Sequence, residues 1–170
     1  MSGAYGCSSP PFVSTFDVVK HQPLTVQQYL TIEAVLNVLF PDDGNGPNIY
    51  QINALEHICW VLNDLLQDPS ENNFILDKAD LCHQLTLELE HTSIHLLPIR
   101  KQRQMVESVY EQNWGSYWLS RLMTLLFEAL LCDPAYGVNT DEVGWKWLEH
   151  RPGQPRPTKA QTYPNPIAAL

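Results

Sequence analysis

From Ser116 to Leu131 the chain reads SYWLSRLMTLLFEALL. Trp118, Leu119, Leu122, Met123, Leu125, Leu126, Phe127, Ala129 and Leu130 leave only Ser120, Arg121, Thr124 and Glu128 as polar breaks. The stretch predicts a helix that is apolar almost all round, and such a helix is buried on every side. In a chain of 170 residues it must be the central element, or another chain must cover part of it. It falls short of the ~18 apolar residues of a membrane span. Everything else has to be arranged around it.

The surrounding segments also carry helical periodicity. Thr25 suits an N-cap, and Tyr29, Ile32, Leu36, Leu39 and Phe40 recur at helical spacing until Pro41 stops the helix. The run FPDDGNGPN, residues 40–48, is a loop by composition. A second helix is predicted from Ile49 to Gln67, with Ile52, Leu55, Cys59, Leu62, Leu65 and Leu66 on one stripe and Asp68-Pro69-Ser70 as its breaker. A third covers 73–96, with Leu81, Leu85 and Leu89 along one side. A fourth starts at Pro98, which suits a first turn, and carries Ile99, Val106, Val109 and Tyr110 as apolar positions. Gly115 ends or kinks it. No alternation lasts long enough to argue a strand. The expected fold is therefore all-α: a single bundle of about five helices. An irregular N-terminal arm takes residues 1–24, the helical domain 25–148, and an extended Pro-rich C-terminal tail 149–170.

The formal charge of -9 should repel phosphate backbones, which argues against a nucleic-acid partner. Arg100, Lys101 and Arg103 are the one basic run and read as a solvated helix face. Cys7, Cys59, Cys82 and Cys132 form no CxxC pair, so neither a zinc knuckle nor a thioredoxin-type site is expected. The last three sit in helical apolar patterns and read as buried thiols, with a disulfide open in an oxidising compartment. The opening MSGAYGCSSPP has no charged region followed by an apolar one, so it is not an intact signal peptide. Its AYGCSSP resembles the end of a lipoprotein signal, which would make Cys7 a lipidation site and its lipid a membrane anchor.

No catalytic constellation emerges. Glu88, His91 and His95 share a face if one helix runs through them, but HTSIH lacks the general-base Glu of a zinc helix. There is no GxSxG nucleophile, and GNG at 44–46 joins two helices instead of a strand and a helix, so it is no phosphate loop. The carboxylate pairs Asp42-Asp43 and Asp141-Glu142 lie in loops. What stands out is aromatic and Pro/Gly-rich sequence outside the helices, notably Tyr136, Trp145, Trp147 and Tyr163. Such residues suit protein–protein contact.

The stretch LLFEALLCDPAYGVNTDEVGWKWL, 125–148, carries the decisive pattern. A hydrophobic helix is followed by Asp133-Pro134-Ala135-Tyr136-Gly137-Val138-Asn139 and then by Gly144-Trp145-Lys146 and Trp147. This resembles the C-terminal signature of the gluconate 2-dehydrogenase subunit 3 family, the small gamma subunits of membrane-bound flavin-dependent sugar and polyol dehydrogenases. A weaker upstream match joins Leu24-Thr25 to Phe40-Pro41-Asp42-Asp43-Gly44 and Pro47. Val138 stands where the family has a second glycine, which suggests no positive φ is needed there. The family's twin-arginine signal is not in the chain as given.

The resemblance implies a non-catalytic subunit without a cofactor or metal of its own. It would bind a large flavoprotein of the glucose–methanol–choline class and support its folding and export to the periplasm. FAD, any iron–sulfur cluster and the haems of a multihaem cytochrome c would belong to the partners. Pro134 and Gly137 would stop the helix and turn the chain. Asp133, Tyr136 and Asn139 would brace that turn, and Gly144 to Trp147 would face the partner. Two other readings remain open: a helical adaptor or lipoprotein unrelated to dehydrogenases, and a small metal enzyme built on Glu88, His91 and His95.

Overall fold

The computed structural model describes residues 24–156, together with Thr158, Gln161 and Thr162. Cys7 and Tyr163 lie outside the described residues. Those residues are all-helical: six α-helices, short 3-10 turns and no strand.

Helix α1, Val26–Leu39, begins as its sequence dictates. Thr25 Oγ1 accepts from Gln28 N at 3.2 Å, and Gln28 Oε1 accepts from Thr25 N at 2.9 Å. Two orphan donors of the first turn are thus satisfied reciprocally. The helix ends at Phe40, because the residue before a proline is pushed out of the helical region.

Helix α2, Ala54–Leu62, is shorter than the predicted Ile49–Gln67. At its start Asn53 adopts a left-handed backbone with φ 54°. Its side chain reaches away, donating to Gly137 O and Thr140 Oγ1, both at 3.0 Å. At its end Asp64 Oδ1 accepts from Leu66 N, a turn that competes with helix and leaves Leu65 and Leu66 exposed.

Helix α3, Pro69–Glu90, starts and stops earlier than predicted. The Asp-Pro-Ser breaker is also its starter: Asp68 Oδ1 accepts from Ser70 N at 2.8 Å and Pro69 fills the first turn. His91 closes the helix in a left-handed conformation, and Ile94–Leu96 form a separate 3-10 turn. The buried face is Ile75, Ala79, Cys82 and Thr86, rotated away from the predicted leucine side; Leu89 is 55% exposed. Small side chains let α3 lie close against its neighbours α1 and α5. Thr86 hides its hydroxyl by donating to Cys82 O at 2.8 Å.

Helix α4, Ile99–Tyr110, buries Met105, Val106 and Val109 and exposes Ile99 and Tyr110. Gly115 does not end α4; it opens helix α5, Gly115–Leu131. A Cβ there would sit 1.6 Å from Val109 O, so no other residue fits the crossing.

Helix α5 touches α1, α2, α3, α4 and the last helix, α6, Val143–Trp147. It is central, as expected, but not buried all round. Trp118, Leu122, Leu125, Leu126 and Leu130 fill the core, whereas Tyr117, Thr124, Phe127 and Leu131 form a surface stripe. Phe127 is 48% exposed. Trp118 Nε1 donates to Ile75 O at 3.1 Å, which satisfies the indole while tying α5 to α3. His57 on α2 and Glu128 on α5 meet at 3.1 Å.

Candidate interaction site

The last carbonyls of α5 have no partner within the helix and need one from elsewhere. Residues 132–145 supply it. Asp133 Oδ1 accepts from Ala135 N at 2.9 Å, which starts the 3-10 turn Pro134–Tyr136. Gly137 then turns the chain with φ 87°. Val138 does not share that left-handed backbone; its side chain is buried in the core instead. Asn139 is fully buried and left-handed, a conformation asparagine tolerates. Its Nδ2 donates to Cys132 O at 3.1 Å, its Oδ1 accepts from Gly144 N at 2.7 Å, and its backbone N donates to Ile52 O at 3.1 Å.

Gly144 lies flat against the end of α5. A Cβ would stand 2.2 Å from Leu130 O. That contact brings Trp145 over the helix terminus, where Nε1 donates to Leu131 O at 2.8 Å. Trp145 is only 4% exposed. The stretch therefore folds back as a clasp on α5, and the expectation that Gly144 to Trp147 faces outward is corrected for Gly144 and Trp145. Lys146 and Trp147 are exposed; Pro134 and Tyr136 are half-buried on the turn.

A residue of the tail completes the clasp. Arg156 Nε and Nη2 donate to the two oxygens of Asp133, each at 3.0 Å, and Nη1 donates to Glu142 Oε1 at 2.6 Å. Its guanidinium carbon lies 4.9 Å from the Trp145 ring centroid. The bidentate hydrogen bonds from Arg156 are the main cause holding the Asp133 carboxyl below its ordinary pKa.

Trp147 points the other way. It is 41% exposed and meets Phe40 edge to face at 6.0 Å. Gly46 lies beneath it: a Cβ there would be 2.5 Å from the indole ring. The loop 40–48 and α6 thus enclose an open groove of about 310 Å³, lined by Gly44, Gly46, Pro47, Gln51, Lys146 and Trp147. The carboxylates of this loop shape the loop itself. Asp42 accepts from Gly44 N and Asn48 Nδ2, and Asp43 accepts from Asn45 N, which lowers the Asp43 pKa.

No family model, curated protein or solved structure matches this chain. The site must be read from its own geometry.

The remaining candidates are scattered. Glu88 is on α3, His91 caps it, and His95 belongs to the following 3-10 turn, so they share no helix face. No group of three metal-ligating side chains forms among the described residues. His95 Nδ1 is buried with no hydrogen-bond partner among them. Cys59, Cys82 and Cys132 are free thiols. Burial pushes Cys59 up to about 11 and Cys82 to about 12, and it raises Cys132 as well. Lys101 pairs with Glu90 at 2.8 Å. Among the described residues no helix is long and apolar enough to cross a membrane.

Sequence reasoning missed Arg156 and Asn53. Both make long-range contacts from segments that read as tail and as helix interior.

Proposed function

We propose that this chain is a non-catalytic binding subunit, and that its partner is a large flavoprotein dehydrogenase of the glucose–methanol–choline class acting on a sugar, sugar acid or polyol. One observation carries the reading. The two stretches that resemble the subunit 3 family, 40–47 and 133–147, are far apart in sequence and come together around Trp147 at one end of the bundle. An exposed aromatic beside glycine- and proline-rich backbone is a surface suited to anchoring another chain. The clasp beneath it offers rigidity instead of chemistry: its carboxylates and amides are occupied in holding the loop. On this reading FAD, and any iron–sulfur or haem group, resides in the partner subunits, including a multihaem cytochrome c where one is present, and the complex works in the periplasm.

Co-expression with the large subunit tests the proposal. The two should co-purify with flavin absorbance near one equivalent. Trp147→Ala, together with Lys146→Glu, should release the flavoprotein while the small chain stays folded. A chain that purifies as a stable monomer beside soluble, unbound flavoprotein would end it.

A further inference from the structure

We infer that Asp133, Glu142 and the face of Trp145 form a guanidinium-binding site, filled by Arg156 in the isolated chain, which an arginine side chain of the partner protein can take over. The inference rests on the binding-subunit reading for its partner, but the site itself is argued from this chain alone.

Two of the walls are fixed by side-chain contacts that do not involve Arg156, and the third by its backbone. Asp133 is held by capping Ala135 N, and Trp145 by its bond to Leu131 O. Glu142 sits on a left-handed backbone with φ 60°, as does Asp141 with φ 56°. Such a conformation is costly for a residue with a side chain and marks a segment positioned by its surroundings. Together the walls offer two carboxylate oxygens in one plane, a third oxygen from the side, and an aromatic face. A planar fork of five donors matches that set; a lysine ammonium does not. The face supplies cation–π attraction that also favours arginine.

The occupant is held differently from the walls. Among the described residues, 151–155 make no hydrogen bond to the bundle, and Arg151, Gly153, Gln154 and Pro155 are exposed. Pro152 is half-buried, so this stretch is held by Pro152 and by the Arg156 side chain. The guanidinium remains about one-third exposed, so an incoming side chain can reach the pair from the solvent side. An arginine presented from that solvent side by a docked protein can exchange with it. While Arg156 is in place, it competes with that arginine.

The test is a titration of Arg156→Ala with N-acetylarginine amide, followed by tryptophan fluorescence, with Trp145→Phe as the control for the reporting ring. The variant should bind saturably and at least about tenfold more tightly than wild type, whose site is already filled. N-acetyllysine amide should bind far more weakly, and adding Asp133→Asn should abolish the response. A folded Arg156→Ala chain with no saturable response, or one that binds both probes alike, overturns the site. If Arg156→Ala does not fold, Arg156→Lys replaces it; failure of both to fold makes Arg156 a fixed structural member and also overturns the proposal. In co-expression, Arg156→Ala should capture more flavoprotein than wild type, and reduced capture by a folded variant counts against exchange. A positive titration with no flavoprotein bound by any variant would instead sink the functional reading and leave the guanidinium site standing.

Discussion

Trp145 and Trp147 are two residues apart on one short helix, yet they do opposite things. The first is sealed against the end of α5 with its indole N–H on a helix carbonyl. The second lies over Gly46 with much of its ring in solvent. The contrast separates fold from function within a single motif. A tryptophan whose polar atom is matched and whose faces are covered is a structural pin. A tryptophan held by one edge and one glycine is available to something else.

The widest gap should appear on truncation. Trp145→Ala should cost about 3–5 kcal/mol in urea unfolding, the range for a buried aromatic. Trp147→Ala should cost about 1 kcal/mol, chiefly its edge-to-face contact with Phe40. Equal losses would erase the distinction.

The glycines sharpen it. Gly144→Ala drives a methyl group into the Leu130 carbonyl, which cannot move without breaking α5, so at least about 3 kcal/mol should be lost. In Gly46→Ala the three atoms nearest the new methyl group all belong to the Trp147 ring, which can swing toward solvent. Its stability should fall by about 1 kcal/mol or less, while partner capture suffers. A stable Gly144→Ala chain would mean that the clasp is looser than its hydrogen bonds require.

Acid should loosen the clasp but not the groove contact. Asp133 is held below its ordinary pKa, first by hydrogen bonds from Arg156. Its contribution to stability is then full above the ordinary carboxylate value, about 4, and is lost as pH falls through the lower folded value. The stability difference between wild type and Arg156→Gln should be largest near neutral pH and close progressively below about pH 4. Urea midpoints across that range read it, and a constant difference would remove Asp133 from the clasp. The smallest effect concerns the thiols. Cys59, Cys82 and Cys132 should alkylate slowly in the native protein at neutral pH, Cys82 slowest, and rapidly in urea.

Where the chain announces an element locally, the sequence was enough. Thr25 with Gln28 marks the start of α1, and Pro98 marks that of α4. The ends of α2 could not be read, because Asn53 leaves the helix to reach residues 137 and 140. Asp68-Pro69 breaks one helix and caps the next, and only the second role fixes where α3 begins. The leucines of α3 suggested the wrong inner face. A close helix crossing selects Ala79 and Cys82 over larger side chains, and periodicity alone does not register that preference. At the candidate site, the turn residues Asp133, Gly137 and Asn139 were legible. The burial of Trp145 was not, since its partner is a carbonyl that every residue possesses. Arg156 was invisible among prolines until its two carboxylates were in place.

Helix α5 is gripped at both ends. At one, Asn139 and Trp145 hold its final carbonyls; at the other, Gly115 sits beneath Val109 with no clearance. Its 17 residues span about 25 Å. A rod held at both ends keeps its two anchors a fixed distance apart. The Asn139–Trp145 clasp and the α4–α5 corner are thereby held at opposite ends of one helix.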